Sequence, residues 1–547
     1  MMLAADTAAM PDAVRVLGMV AAAALAAGVL LAPGARARAI AMLAALVVTP
    51  VLLVAEIWDT PQLASLRDRP TAVVVAVALC LLVLGLLAWG MARRPGLLAA
   101  LAVGALPFRI PVEAGGATAN LLVPLYLVIA AGALAWAVPR LRGKEEPARA
   151  ERGLERLLAA VVVLYALQSA YSADVPKTLE QVVFFYVPFA LLFALLRDLE
   201  WTPRRLRLCL AVLVALALAF VAVGFVEYQT RELLLNPKVI ASNQVEEYFR
   251  VNSLFFDPNI YGRFLALVML CLSALLLWGH RTRDIALAVA ALVVLWGGLV
   301  LTLSQSSFAA LLAGLLVLAA MRYPGRRALA GAVAVVVVGV IVVVAFPGAL
   351  RLDLGSAKSI DRATSGRFDL MSGGLELARE RPLAGWGSGS FRSEYRRRQN
   401  ASSERAVSAS HTTPITVAAE QGLIGLAVYL ALLAAALARL LRGASGWPAR
   451  AVIAAGFVAL VVHTWLYASF LEDPMTWTLL GVGVALARTR RVATPEEEGP
   501  IEASASTPES PRSGGSPAGT PARSLPGARP RRQARSCSRS APARCGR

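Results

Sequence analysis

LCLAVLVALALAFVAVGFV, residues 208–226, runs for 19 positions without a charged side chain, between Arg207 and Glu227. As an α-helix rising 1.5 Å per residue, such a run covers about 28 Å, nearly the thickness of a bilayer's hydrocarbon core. No water is available there to satisfy backbone N–H and C=O groups, so the run must be helical. Working outward from it, similar runs fill the chain. The predicted spans are 13–32, 39–57, 71–92, 95–112, 119–138, 154–172, 178–197, 205–226, 258–279, 284–303, 306–321, 328–346, 412–438, 451–471 and 474–488. Of these, 95–112 and 474–488 carry the weakest signal, being short or interrupted by proline. The composition agrees, with 58% of 547 residues hydrophobic and 16% charged, more apolar than soluble domains. The first run lacks a basic leader and a clear cleavage site, so it reads as a retained helix. The expected fold is all-α, a polytopic transmembrane bundle of about 12–15 spans.

The loops test this reading. Basic groups fall at Arg36 and Arg38, Arg93 and Arg94, Arg140 to Arg152, Arg204 to Arg207, Arg281 and Arg283, Arg322 to Arg327, Arg439 to Arg450, and Arg488 to Arg491. Every second loop is therefore basic, as the positive-inside rule requires, with Arg67 and Arg69 a mild exception. This predicts an outside N-terminus and a cytoplasmic C-terminus. It also accounts for the formal net charge of +19 without nucleic acid as a partner.

The expected organisation is N-terminal spans over 1–226, a loop over 227–257, central spans over 258–346, a large loop over 347–411, C-terminal spans over 412–488, and a tail over 489–547. Both long loops fall outside. The tail is Ser, Pro, Gly, Arg and Ala with few large apolar residues, a composition that predicts disorder and at most a weak attraction to membrane lipids.

Five cysteines lack metal-ligand spacing and there are three histidines, His280, His411 and His463, so no metal site is expected. Charges inside spans are few, which lowers the expectation of ion-coupled transport. Arg263 lies one turn into its span. Asp257 and Pro258 suit a helix start, Asp as cap and Pro at the first position, whereas Arg250 has no such local role. In the large loop, Phe368, Met371, Leu375 and Ala378 recur at helical spacing, predicting an amphipathic helix ended by Pro382. The glycines in Pro382-Leu-Ala-Gly385-Trp386-Gly387-Ser-Gly389 allow either a flexible turn or an approach of backbone N–H groups to phosphate. His411, at a helix mouth, is a candidate general base. Glu420 begins inside an apolar run and needs a partner, an arginine or His411 itself.

Five segments in order carry a resemblance: Arg250 with Asp257-Pro258-Asn259, Leu301-Thr302-Leu303-Ser304, Ser365-Gly366-Arg367, Pro382-Leu383-Ala384-Gly385-Trp386-Gly387, and His411 with Glu420-Gln421-Gly422-Leu423-Ile424-Gly425. Over roughly 250–480 the sequence resembles the bacterial O-antigen ligase and O-antigen polymerase superfamily. The resemblance implies a multi-pass enzyme of the bacterial inner membrane whose periplasmic loop caps a cavity. It would transfer a glycan from an undecaprenyl-diphosphate carrier to a lipid A core or glycan acceptor hydroxyl, without a nucleotide sugar or a metal. By position, Arg250 and Arg367 resemble the family's essential arginines and His411 its essential histidine. Arg263, Asp257, Asn259 and Glu420 are candidate substrate-binding residues. Thr412 stands where the family commonly has Asn, and Gln305 where it often has Arg.

The chemistry is coherent. A departing diphosphate gathers negative charge, which planar guanidiniums meet bidentately. An imidazole suits removal of a hydroxyl proton near neutral pH. Ligase, polymerase and protein glycan transferase remain open, with ligase slightly favoured. A transporter or flippase of lipid-linked sugars, or a scaffold with a degenerate site, is the alternative of another class.

Overall fold

The structure, a computed structural model, describes residues 10–58, 68–114, 117–143, 153–234, 249–323, 325–327, 367–399, 410 and 412–492. Twelve of its helices are long and apolar enough to cross a membrane. In chain order these are α1 (Asp12–Leu31), α2 (Ala35–Ile57), α3 (Pro70–Arg93), α5 (Val123–Leu141), α6 (Gly153–Tyr171), α7 (Val175–Asp198), α8 (Pro203–Thr230), α9 (Pro258–Trp278), α10 (Thr282–Thr302), α11 (Gln305–Arg322), α14 (Thr413–Leu441) and α15 (Pro448–Leu466). Among the described residues there are four further helices: α4 (Pro95–Ala105), α12 (Arg367–Glu380), α13 (Phe391–Gln399) and α16 (Pro474–Val492). The protein is an integral membrane protein and a polytopic helical bundle.

One predicted span differs. Residues 95–112 form only the short helix α4, followed by an antiparallel hairpin of β1 (Ile110–Ala114) and β2 (Ala117–Leu121), with Ile110 opposite Leu121. Eleven residues of helix rise about 16 Å, roughly half a hydrocarbon core. Pro107 and Pro111 bracket the break, each lacking the amide that would continue a helix. The span predicted at 119–138 accordingly begins at Val123. The expected span at 328–346 lies outside the described residues, as does the tail beyond 492.

Many of these helices begin at proline in the first turn, where its missing N–H costs nothing: α3, α4, α5, α8, α9, α14 and α15 all do. Thr202 and Ser304 cap α8 and α11 through their side chains. Helix α3 stands out by its exposure: Val74, Leu81 and Trp89 are each more than half exposed, a surface suited to lipid.

Successive helix ends alternate between two faces. At one face, buried charges tie helices together. Arg38 meets Asp198 at 2.7 Å, Arg197 meets Asp198 at 2.8 Å, and Arg488 meets Glu155 at 3.1 Å. These pairs join the ends of α2, α6, α7 and α16. The helix starts at Val175, Pro258, Thr413 and Pro474 lie at the other face, with the arms of the long loops.

Candidate functional site

Arg250 is held by the turn between α10 and α11. Leu303 adopts a left-handed conformation (φ 50°) that ends α10. Against this turn the Val251 N–H donates to Leu301 O at 3.2 Å, and Arg250 Nε donates to Thr302 O at 3.0 Å. Arg250 Nη2 also donates to Asn259 Oδ1 at 3.4 Å, and Ser304 Oγ donates to the same oxygen at 2.9 Å. Arg250, Asn259 and Ser304, separate in sequence, thus share one station. Asp257 caps α9: Oδ1 accepts from Asn259 N at 2.7 Å and Oδ2 accepts from Tyr467 OH at 2.9 Å. Its role as a helix start, read from Asp257-Pro258, is what the geometry displays.

One turn deeper, Arg263 pairs with Asp473 from the start of α16, both side chains 1% exposed. Among the described residues, Arg263 Nε and Nη1 have no hydrogen-bond partner. Arg109, half-buried after α4, lies within electrostatic reach of Asp473, Arg263 and Tyr467. Burial lowers its pKa from the ordinary arginine value, and Asp473 partly offsets that. Two guanidiniums therefore face Asp473 in a poorly hydrated place, and Arg263 keeps donors without a partner among the described residues. Beside them, burial raises the Glu472 carboxyl above its usual range, against the field of Lys177. Such perturbed groups cluster at functional sites.

The glycine-rich segment has a different task from phosphate binding. Helix α14 is interrupted at Gly422 (φ 66°, ψ −164°), and residues 382–387 fit into the break. The Leu423 N–H donates to Pro382 O at 2.7 Å, Trp386 N–H to Ala419 O at 3.0 Å, and Gly387 N–H to Glu420 O at 2.8 Å. A Cβ on Gly422 would collide with the Leu383 carbonyl, and one on Gly385 with the backbone of Glu420. Gln168 from α6 donates to Gln421 O at 3.2 Å and braces the opened strand. Glu420 Oε2 accepts from Gly389 N at 3.0 Å and Oε1 from Phe391 N at 3.2 Å. Its described partners are thus backbone amides at the start of α13, where a carboxylate complements the helix dipole; no arginine is among them, and His411, the other expected partner, lies outside the described residues. Two of the five sequence segments, 382–387 and 420–425, are halves of one clasp.

Arg367 opens α12, and its side chain and His411 lie outside the described residues. The amphipathic helix forms, ending at Glu380, and it buries a stripe beside the one picked out by the apolar spacing. Leu370 and Leu377 are buried with Phe391, Tyr395 and Ala419, while Met371 and Leu375 are 38% and 44% exposed. Gly373 and Gly374 decide this, because they let α12 press closely on Tyr395 and Ile415; the exposed pair suits an interfacial surface. The sequence reading missed Arg109, Lys177, His463 and Tyr467. His463 was legible only as one histidine of three, and Arg109 was absorbed into a span that does not form.

These features define a polytopic helical membrane protein with Arg250 and the Arg263–Asp473 pair held about the start of α9, and with a helical arm clasped to α14. The family model described as O-antigen ligase matches residues 290–430, from within α10 through most of α14. Over that segment the chain is similar to the O-antigen ligase family. No curated protein and no solved structure matches the chain.

Proposed function

We propose that the protein transfers a glycan from undecaprenyl diphosphate to an acceptor hydroxyl at the periplasmic face of the bacterial inner membrane. The observation that carries this reading is that Arg250, through Asn259, and Arg263, paired with Asp473 and facing Arg109, are both held at the start of α9. The faces are assigned by charge. The opposite face gathers Arg36, Arg93, Arg204, Arg281 and Arg442 and is cytoplasmic by the positive-inside rule. That orientation leaves the N-terminus periplasmic and the C-terminus cytoplasmic.

In the reaction, the acceptor oxygen bonds to the anomeric carbon as the bond from that carbon to the phosphate oxygen breaks. The electron pair and growing charge go to the diphosphate, and the hydroxyl proton goes to His411. Arg250, Arg263 and Arg367 hold the diphosphate, and fixed donors of this kind are each worth about 3 kcal/mol in the transition state. Guanidiniums supply the neutralisation that a divalent cation provides elsewhere, so the reaction runs without one. Asn259 orients Arg250, while Asp257 fixes the start of α9 and Glu420 the start of α13. The acceptor is a lipid A core in ligation or a second glycan chain in polymerisation.

A lipid-linked sugar flippase is the second reading, favoured by the break in α14, since transporters use discontinuous helices. At Gly422, however, the freed backbone groups are taken by residues 382–387. His411→Ala and Arg367→Ala are expected to abolish transfer while leaving the protein folded in the membrane. Normal glycan products from either variant count against the proposal.

A further inference from the structure

Beneath Arg250, inside the bundle, a buried polar chain leads from Asn259 through Ser304 and Ser307 to His463, a residue with no part in the proposed reaction. His463, on α15, is 0% exposed. Its Nε2 lies 3.2 Å from Ser306 Oγ, 3.3 Å from Ser307 Oγ and 3.2 Å from the Asn259 carbonyl oxygen. Ser307 Oγ is 2.8 Å from Ser304 Oγ, and Ser304 Oγ is 2.9 Å from Asn259 Oδ1, the oxygen that also accepts from Arg250. Ser304, Ser306, Ser307 and Thr302 are at most 1% exposed. Polar groups buried this deeply in a membrane protein are costly unless each is paired.

The direction of these hydrogen bonds can be worked out from the ends. The Asn259 carbonyl can only accept, so the His463 nitrogen facing it carries the proton. The neighbouring serine hydroxyls then act as acceptors toward the histidine; Ser307 Oγ also lies 3.3 Å from the Asn259 carbonyl oxygen, but with that oxygen taken by the His463 N–H, Ser307 turns its proton toward Ser304 at 2.8 Å. Ser304 in turn donates to Asn259 Oδ1. That amide oxygen, held in place by Ser304, keeps its second lone pair for Arg250 Nη2. From the opposite side, Thr302 O takes Arg250 Nε. The ring of Tyr467 packs edge-on against His463, with centroids 5.8 Å apart, while its hydroxyl binds Asp257.

We propose that His463 is a positioning residue for Arg250, setting the hydrogen-bond polarity of the chain Ser307–Ser304–Asn259 that aims the guanidinium. The inference rests on the reading that Arg250 holds the diphosphate of the donor. An unaimed guanidinium on a half-buried loop sweeps several rotamers, and misplacing a charge-bearing group by about 1 Å costs on the order of 100-fold in rate.

The test uses the full-length protein in liposomes, with an undecaprenyl-diphosphate-linked glycan as donor and a glycolipid acceptor. His463→Leu is expected to lower the transfer rate by about 10- to 100-fold. His463→Gln, whose amide nitrogen can donate in the same direction, should recover to within about threefold of the parent. In an Arg250→Ala background, His463→Leu should add less than about a twofold loss, because residues acting through one another are not additive. Ser304→Ala, a smaller change that cuts the chain beside Asn259, should reproduce the loss and the non-additivity, and it decides the matter if His463→Leu does not fold. Parental activity in Ser304→Ala, losses that multiply in the Arg250→Ala background, or a His463→Gln variant as impaired as His463→Leu would each overturn the proposal. If Arg250→Ala itself transfers at the parental rate, the assignment of Arg250 to the donor fails instead.

Discussion

Arg263 and Asp473 form an ion pair between the first turn of α9 and the start of α16, with each side chain 1% exposed. Pairs buried to this degree gain little over an apolar replacement, yet removing one partner strands a charge and costs about 3–5 kcal/mol. Asp473→Ala should therefore lower thermal stability by that order. The charge-exchanged double variant, Arg263→Asp with Asp473→Arg, should regain part of the stability and none of the transfer. Thermal melting and a glycan-transfer assay on the same preparations check both halves.

The clasp at Gly422 gives a second expectation. Gly422→Ala must adopt a positive φ and meets the Leu383 carbonyl, a combined penalty of at least about 2 kcal/mol. Glu420→Gln keeps the shape, but its amide nitrogen cannot accept, so one of the two backbone hydrogen bonds is lost and the other loses its charge, costing about 1–3 kcal/mol. Because Glu420 anchors α13, that loss should appear as faster proteolysis within 367–399 at an unchanged rate in the spanning helices. Equal sensitivity throughout would contradict the clasp.

Glu472 supplies a pH dependence. Burial raises its carboxyl above the ordinary value, so the folded protein holds this proton more tightly than the unfolded chain does. The associated stability is present below the unfolded pKa of about 4.3 and is lost as pH rises through the higher folded value. Glu472→Gln should consequently gain in melting temperature over the parent between about pH 4 and about pH 8. A gain that is the same at both ends, or that shrinks as pH rises, contradicts this.

At the opposite face, Glu155 is 2% exposed on its side chain and faces Arg197 at 3.6 Å and Arg488 at 3.1 Å. Glu155→Ala leaves Arg197, itself 3% exposed, with one carboxylate fewer. Destabilisation of about 3 kcal/mol is expected, with the transfer rate per folded molecule unchanged. A selective loss of rate would instead connect this face to the reaction.

Residues such as 208–226 made the bundle legible, because a long uncharged run in lipid has one structural solution. The failure at 95–112 came from the same logic applied to hydropathy without weighing Pro107 and Pro111, which stop the helix at half depth. Asp257-Pro258 was readable as a helix start because capping is local. The clasp was not: Gly385 and Gly422 are far apart in sequence, and only the fold shows that each makes room for the other's backbone. The same holds for His463, whose three polar neighbours come from α9 and α11. Met371 and Leu375 were legible as an apolar stripe, but helical spacing does not say that the adjacent stripe of Leu370 and Leu377 is the one that meets the protein.

Transfer of glycan by purified protein in liposomes, compared between the parent and Arg250→Ala at matched folded content, tests the central claim most directly. The account predicts that the parent moves glycan from undecaprenyl diphosphate to the acceptor with a chelator present. It also predicts that Arg250→Ala loses about 100-fold or more while melting near the parental temperature. A parent that carries the lipid-linked glycan across the bilayer without joining it to any acceptor, or an Arg250→Ala variant that transfers at full rate, would contradict it.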